Sequence, residues 1–400
     1  MQNRGALWFI LATILLDAVG IGIVFPIMPD LMERVGAEGT ADGAFLGGIL
    51  MASYAAMQFL FAPIIGGVSD SLGRRPVLLL ALVTLAVDYV IMALATTFAW
   101  LLVGRVLAGI AGATYITATA YLADISKPEE RAANFGLIGA AFGVGFVMGP
   151  AIGGLVASIH ITAPFWLAAA LAAANVAFGL FLLPESLAPE KRRRFKRRDL
   201  NPFGSILDAF RLPGLALPLV LIFLFEFANM VYPTLWAFWT REVFGWGTAL
   251  IGLTLASYGM AVAFTQGVVM RFLIPKWGEY KTLIFSVLCA IAAFVAFGLT
   301  GSMYVMFAFI IVAALADMSP PTMTAMMANM VAEDRQGLLQ GVIASLGSIA
   351  AVIGPMAMTG IFHRFAADGA RFYLPGAPFL VSGVLVILLL PFFLRLKPRP

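Results

Sequence analysis

Apolar stretches recur along the whole chain, separated by short breaks in which glycine, proline and charged residues collect. A helix that crosses a bilayer needs roughly 20 predominantly apolar residues at about 1.5 Å each. By that measure the runs near 5–28, 44–66, 76–95, 98–123, 134–158, 163–183, 214–237, 248–272, 281–299, 303–328, 338–362 and 375–395 predict twelve spans. The first run, Gly5 to Met28, is longer than the roughly 7–15 apolar residues of a secretory signal. It follows one cation and lacks a small-residue cleavage site, so it reads as a retained helix. The expected fold is an all-α membrane protein of twelve transmembrane helices, with no room for a large soluble domain.

Composition agrees with that pattern. Of the 400 residues 62% are hydrophobic and 12% charged, and the mean hydropathy is +0.97, too little polar surface to cover a soluble globule. The one cysteine, Cys289, lies inside an apolar span, which excludes a disulfide framework and a cysteine metal site. Lysine and arginine are very unevenly placed. Twenty fall on the side that holds both termini and four, Arg34, Arg241, Arg364 and Arg371, on the other, with Arg105 inside a span. Positive charge marks the cytoplasmic side of short loops, so both termini are expected in the cytoplasm. The run from Lys191 to Arg198 reads as a cytoplasmic linker near anionic lipid rather than a nucleic-acid patch.

That linker divides the chain near its midpoint, and a segment before it returns after it. Glu130-Arg131, Gly136 and Gly149-Pro150 are echoed by Asp334-Arg335, Gly341 and Gly354-Pro355, with the same spacing between the glycines. An internal duplication in parallel halves suits a transporter, because two bundles can rock about a central site. The expected domains are a six-helix bundle over 1–183, a basic linker over 184–213 and a second six-helix bundle over 214–400, around a central cavity.

Two motifs sharpen the reading. The connection after the second span runs Gly66-Gly-Val-Ser-Asp70-Ser-Leu-Gly73-Arg74-Arg75-Pro76. Gly66 is expected to let a helix end approach a neighbour and Gly73 to make a tight turn, with Asp70, Arg74 and Arg75 bonding helix ends across the loop. In a twelve-span chain this resembles the signature loop of the major facilitator superfamily, where it acts as a cytoplasmic latch. The fifth span carries Gly145, Gly149-Pro150 and Gly153-Gly154, with Gly139 and Gly143 before them; small residues at this spacing allow close backbone approach. The segment also resembles the motif of antiporters in that superfamily, which implies export.

Leu16-Asp17 with Gly20, Gly22 and Pro26, Tyr121-Leu-Ala-Asp124, Trp236-Ala-Phe-Trp239, Phe244-Gly-Trp246, Lys276-Trp-Gly-Glu279 and Asp334-Arg-Gln-Gly337 extend the likeness over nearly the whole chain. Together they resemble the tetracycline exporter branch of the drug:proton antiporters. The resemblance implies the major facilitator fold, a proton-coupled exporter in a bacterial inner membrane, a monomer, and no cofactor beyond the proton gradient. One departure stands out: positions about Val262 and Ile291 are apolar where the resembling family carries a histidine in helix eight and an aspartate in helix nine. That departure touches the identity of the substrate and not the antiporter class.

Buried charge points to the mechanism. Asp17, Asp88, Glu226 and Asp317 fall near the middle of spans one, three, seven and ten, and Arg105 in the outer part of span four. Each ionised residue at a helix centre costs about 2.5–3.5 kcal/mol on translocon scales, so these groups must face one another or a watered cavity. Burial favours the neutral form of a carboxylic acid and a nearby cation the ionised form, so movement relative to Arg105 can drive proton uptake and release. All five are candidates for proton coupling. Tyr54 and Gln58 on span two, Asn229, Tyr232 and Trp236 on span seven, and Gln266 on span eight are candidates for substrate contact, since aromatic faces with a few amides suit a flat amphipathic ligand. Trp239 and Trp246 are expected at the membrane interface.

Several functions lack their residues. His160 and His363 are far apart at outer ends, no loop of the Walker type is present, and no nucleophile motif points to an enzyme. The expected partners are a small molecule, protons and the lipid bilayer, with no nucleic acid and no metal. Export of another metabolite, a sugar or a cationic drug on the same frame stays open beside tetracycline, and a membrane-embedded enzyme is a remote alternative.

Overall fold

The computed structural model describes residues 2–112, 114–127, 130–193, 214–332 and 335–396, and among them it contains no strand. The helices are α1 (Gln2–Arg34), α2 (Gly39–Leu72), α3 (Arg74–Leu94), α4 (Phe98–Ala111), α5 (Thr114–Ile125), α6 (Arg131–Ala157), α7 (Ala163–Leu182), α8 (Ala216–Asn229), α9 (Val231–Phe244), α10 (Thr248–Phe264), α11 (Met270–Leu299), α12 (Met303–Ala316), α13 (Ser319–Ala328), α14 (Gln336–Ala366) and α15 (Ala377–Leu394). Span four is α4 with α5, span seven is α8 with α9, and span ten is α12 with α13. Most of the basic linker, residues 194–213, and Asp334 of the repeated segment lie outside the described residues.

Among the described residues, eleven helical segments are long and apolar enough to cross a membrane, and one of them, Thr248–Leu299, has 52 residues. At about 1.5 Å per residue it would reach roughly 78 Å, more than twice the hydrocarbon core of a bilayer. It is two spans. Gly278 sits at φ 75° and ψ 166° inside it, outside any helical conformation, and divides spans eight and nine. Among the described residues the total is twelve. The π turn Thr265–Val269 joins α10 to α11 within span eight.

Several helices extend past the apolar runs: α1 continues to Arg34 and α2 occupies Gly39–Leu72. Hydropathy marks only the hydrocarbon layer, whereas backbone hydrogen bonding continues through the interfacial layers where polar side chains are accommodated. Large apolar side chains cover the outside, Phe181 at 87% and Leu80 at 67% exposure among them, as a lipid-facing surface requires.

Contacts gather the chain into two units. The first is Met1–Gly36, Ser53–Pro202 and Gly247–Ala256; the second is Ala37–Ala52, Phe203–Trp246 and Ser257–Pro400. In the first, α1 packs most extensively on α6 and α3 on α7. Phe9, Ile10 and Ile14 meet Leu78, Leu82, Tyr121, Leu122 and Ile138 in its core. In the second, α11 packs on α12 and α15, and α14 on α8. Its core is an aromatic cluster in which Trp239 touches Trp236, Phe297 and Phe379. Trp239 is 1% exposed and Trp246 7%, so neither is the interfacial residue expected from its position near the end of an apolar run. Trp246 stacks on Phe244 and Phe307 instead. Near the C-terminal end of α14, His363 Nε2 lies 2.8 Å from Asp42 Oδ1 at the start of α2, within the second unit.

Candidate functional site

The first unit holds a polar patch built from four helices. Asp88 of α3 is fully buried and pairs with Arg105 of α4. Gly104 makes this possible, since a Cβ there would come within 2.6 Å of Asp88 Oδ1. The guanidinium carbon of Arg105 also lies 5.6 Å from the ring centroid of Tyr54 on α2, a cation–π contact. One turn on, Gln58 donates from Nε2 to the carbonyl of Gly112 at 3.1 Å, satisfying an acceptor freed where α4 ends. The candidates Tyr54, Gln58, Asp88 and Arg105 are thus brought together.

Asp17 of α1 lies in the same unit and, among the described residues, has no ion pair. It is 5% exposed, and its Oδ1 has no hydrogen-bond partner. The charges of Asp17, Asp88 and Arg105 all act on Tyr54. Asp17 opens onto a cavity of about 10 Å³ lined also by Gly20, Tyr89 and Asn175, room for about one water. Asn175 is anchored by donation to Thr13 Oγ1 at 2.9 Å. Tyr89, which the sequence reading did not single out, rests against α1 where a side chain on Gly20 would collide with its ring. With Asp17 and Asp88 both ionised against one guanidinium, the patch carries one surplus negative charge.

A second patch lies in the second unit, where three spans are interrupted. Span seven breaks at Met230 between α8 and α9, span eight carries the π turn, and span ten breaks at Asp317 and Met318. Asp317 accepts a hydrogen bond from the hydroxyl of Tyr258, and its carbonyl accepts from Gln266 Nε2 at 3.0 Å. Tyr232 stacks on Tyr258, with centroids 6.0 Å apart and planes at 28°. Glu226 lies in the last turn of α8. Glu226, Asn229, Tyr232, Tyr258 and Asp317 are half-buried and Gln266 is exposed. Trp236 is 5% exposed, within the aromatic core. Tyr258 was missed because a tyrosine in an apolar run resembles any packing aromatic.

The signature loop forms a charged cluster. Arg74 pairs with Asp70, and its Nε lies 3.3 Å from Asp124 Oδ2, while Arg193 Nε lies 2.6 Å from Asp70 Oδ2. Arg75 donates to the carbonyl of Leu180 at the end of α7, at 2.8 Å. Glu185, another residue the sequence reading missed, accepts from the backbone N–H of Arg74 at 2.8 Å and of Arg75 at 3.3 Å. A carboxylate is favoured there, against the positive end of α3. Gly73 has φ 114°, and a Cβ on it would lie 2.8 Å from Glu185 Cδ. Gly66 does not take part in a close approach, because its Cβ would meet only Ile116 Cγ2, at 3.9 Å.

The glycines of α6 divide by face. Cβ atoms on Gly145, Gly149 and Gly153 would collide with α1, at 2.8 Å from Ala18 Cβ, 2.6 Å from the Val19 carbonyl and 2.6 Å from the Ile23 carbonyl. Pro150 lies against Gly22. Gly154 faces α10, 3.0 Å from Gly252 Cα, and Gly139 and Gly143 have nothing within 4 Å, so the close approach expected of them is not made. In the second half Gly354 of α14 is pressed on Met230 as Gly149 is on α1. Among the described residues no group of three or more His, Cys, Asp or Glu is arranged to hold a metal ion.

The chain matches the family model described as Major Facilitator Superfamily over residues 10–316. It is 38% identical over 392 residues to the class C tetracycline resistance protein of Escherichia coli, covering 96% of this chain and 98% of that one. It is 36% identical to the class D tetracycline resistance protein of Salmonella ordonez, covering 100% and 99%. Among solved structures, a bacterial homolog of the human lysosomal transporter Spinster, inward-facing and occupied, superposes with a TM-score of 0.80 at 16% identity, over 99% of this chain and 97% of that one. At that identity the likeness is one of fold.

Proposed function

The chain belongs to the major facilitator superfamily, and we propose that within it this protein is a proton-coupled antiporter that exports an amphipathic drug-like molecule, tetracycline first among the candidates. Its multi-pass body sits, on this reading, in a bacterial inner membrane as a monomer with both termini in the cytoplasm, which the placement of lysine and arginine supports. The bundles 1–183 and 214–400, joined by the linker 184–213, rock to expose the substrate to one side and then the other.

One observation carries the coupling: Asp17 is buried with a bare Oδ1, while Arg105 is already taken up by its pair with Asp88. A surplus charge in the membrane costs about 2.5–3.5 kcal/mol, and a proton taken up at Asp17 cancels it. With the patch open to the outside, Asp17 takes a proton. With the patch open to the cytoplasm it releases that proton, and substrate enters. Asp88 and Arg105 form the charged pair of the same unit, and Glu226 and Asp317 supply acidic groups in the second half. Tyr54, Gln58, Asn229, Tyr232, Trp236 and Gln266 offer the aromatic and amide surface for the substrate, and the pairs of Asp70, Arg74 and Arg75 with Gly66 and Gly73 form a cytoplasmic latch. The likeness to tetracycline resistance proteins supports tetracycline as the substrate.

The test uses everted membrane vesicles energised by respiration. Added tetracycline is expected to collapse part of the pH gradient, and Asp17→Asn to remove that response while the protein stays folded. A gradient unaffected by tetracycline in the native protein, or a response that survives Asp17→Asn, overturns the coupling scheme.

A further inference from the structure

We propose that Asp17, Tyr89 and Asn175 hold a single water molecule against the Asp17 carboxyl, which makes Tyr89 and Asn175 positioning residues for proton coupling. The coupling role rests on the export reading above, whereas the water site stands on geometry alone. Thr13, Asp17 and Gly20 are spaced by four and three residues in α1, so they share one face of the helix. Asn175 of α7 donates to Thr13 Oγ1 at 2.9 Å. The hydroxyl of Tyr89, from α3, lies against Gly20, where a Cβ would overlap it. Asp17 is therefore flanked along α1 by an amide on one side and a phenol on the other.

Asp17, Gly20, Tyr89 and Asn175 line one cavity of about 10 Å³, a volume that admits one water and no larger ligand. Asp17 is 5% exposed, and its Oδ1 has no hydrogen-bond partner. A buried water needs roughly two to four polar contacts, and the carboxyl, the hydroxyl and the amide supply them. Asn175 keeps its second N–H and its oxygen beyond the bond to Thr13, and a phenol both donates and accepts. Leu16, Leu82, Leu85 and Leu171 add apolar wall.

A water suits a carboxyl group that changes its protonation state. It donates to the ionised form and, by turning, accepts from the protonated one, whereas a fixed N–H donor would favour the ionised form alone. Burial without a partner penalises either form. Tyr89 and Asn175 act on the proton only through this water: they fix its place, and it fixes the rotamer in which Asp17 meets its proton.

The test is infrared difference spectroscopy of the full-length purified protein in lipid nanodiscs as the pH is stepped, in ordinary and in heavy-oxygen water. The carbonyl band of protonated Asp17 is identified by its loss in Asp17→Asn. In the native protein an O–H stretching band that shifts in heavy-oxygen water is expected to accompany it. Tyr89→Phe, and Ala172→Leu, which fills the cavity without removing a polar group, should both abolish the water band and move the Asp17 carbonyl band to higher frequency. Monodisperse elution and an unchanged melting temperature certify each variant as folded. The water site is overturned by the lack of an isotope-sensitive band in the native protein, a measurement that needs no variant, or by a band that persists in both folded variants. In everted vesicles Tyr89→Phe should slow tetracycline-driven proton movement by about fivefold or more while tetracycline affinity stays within about twofold, a split that a merely structural loss would not give. Proton movement within about twofold of native overturns the positioning role. A native protein that moves no protons with tetracycline sinks the export reading, and the water band then decides the site on its own.

Discussion

Arg105 is held in an ion pair by Asp88, a residue of the neighbouring helix with no exposed surface. Both groups have left water, and each is tolerable there only because of the other. Removing one partner of such a buried pair strands the other charge at a cost of about 3–5 kcal/mol. Asp88→Asn and Arg105→Gln are each expected to lower stability by that order, while the double variant loses clearly less than the sum. A double-mutant cycle of denaturant unfolding in detergent checks this, and additive losses would show that the two groups are not energetically coupled.

The glycines of α6 give a second expectation. Gly149 lies against backbone of α1 and Gly139 against open space. Gly149→Val should cost about 1–3 kcal/mol or more through overpacking, whereas Gly139→Ala should be neutral or stabilise by up to about 1 kcal/mol through helix propensity. Melting temperatures of the two variants in one detergent decide it; equal losses at both positions would contradict the seam.

Glu185 provides a third. Its carboxylate accepts the backbone N–H groups of Arg74, Arg75, Ser186 and Leu187. Glu185→Ala leaves those donors to water and should destabilise the start of α3 by about 1–2 kcal/mol, as loss of a helix cap does. Hydrogen exchange should quicken at residues 74 and 75 and stay unchanged in the middle of α3. Unaltered exchange there would argue against the cap.

How much of this can be read from the chain alone depends on whether depth or rotation decides the question. Asp17, Asp88, Arg105, Glu226 and Asp317 stand out because a charge in an apolar run is visible at once. That Arg105 meets Asp88 and not Asp17 depends on the rotation of three helices, which a sequence does not display. Trp239 and Trp246 look interfacial because depth puts them near a run's end, yet packing draws them into the core. Glu185 reaches across 111 residues to α3, a contact that only the paired loops reveal. The division among the glycines was open to arithmetic. Gly143 is two residues from Gly145, roughly 200° round the helix, and Gly154 is nine from it, roughly 180°. Spacing by four groups Gly145, Gly149 and Gly153 on one stripe and leaves Gly139 and Gly143 on another.

The stripe that remains has a mechanical meaning. Interlocking side chains fix two helices in register, because a shift must lift each knob from its hole. Gly145, Gly149 and Gly153 present no knobs to α1. The contact fixes how far apart the two helices lie but leaves their sliding lightly opposed, as a bearing does. Asp17 lies next to Ala18 and Val19, which ride on that stripe. A small slip of α1 along α6, limited by Pro150 against Gly22 and Phe146 against Phe25, therefore changes the depth of the Asp17 carboxyl group without separating the two helices.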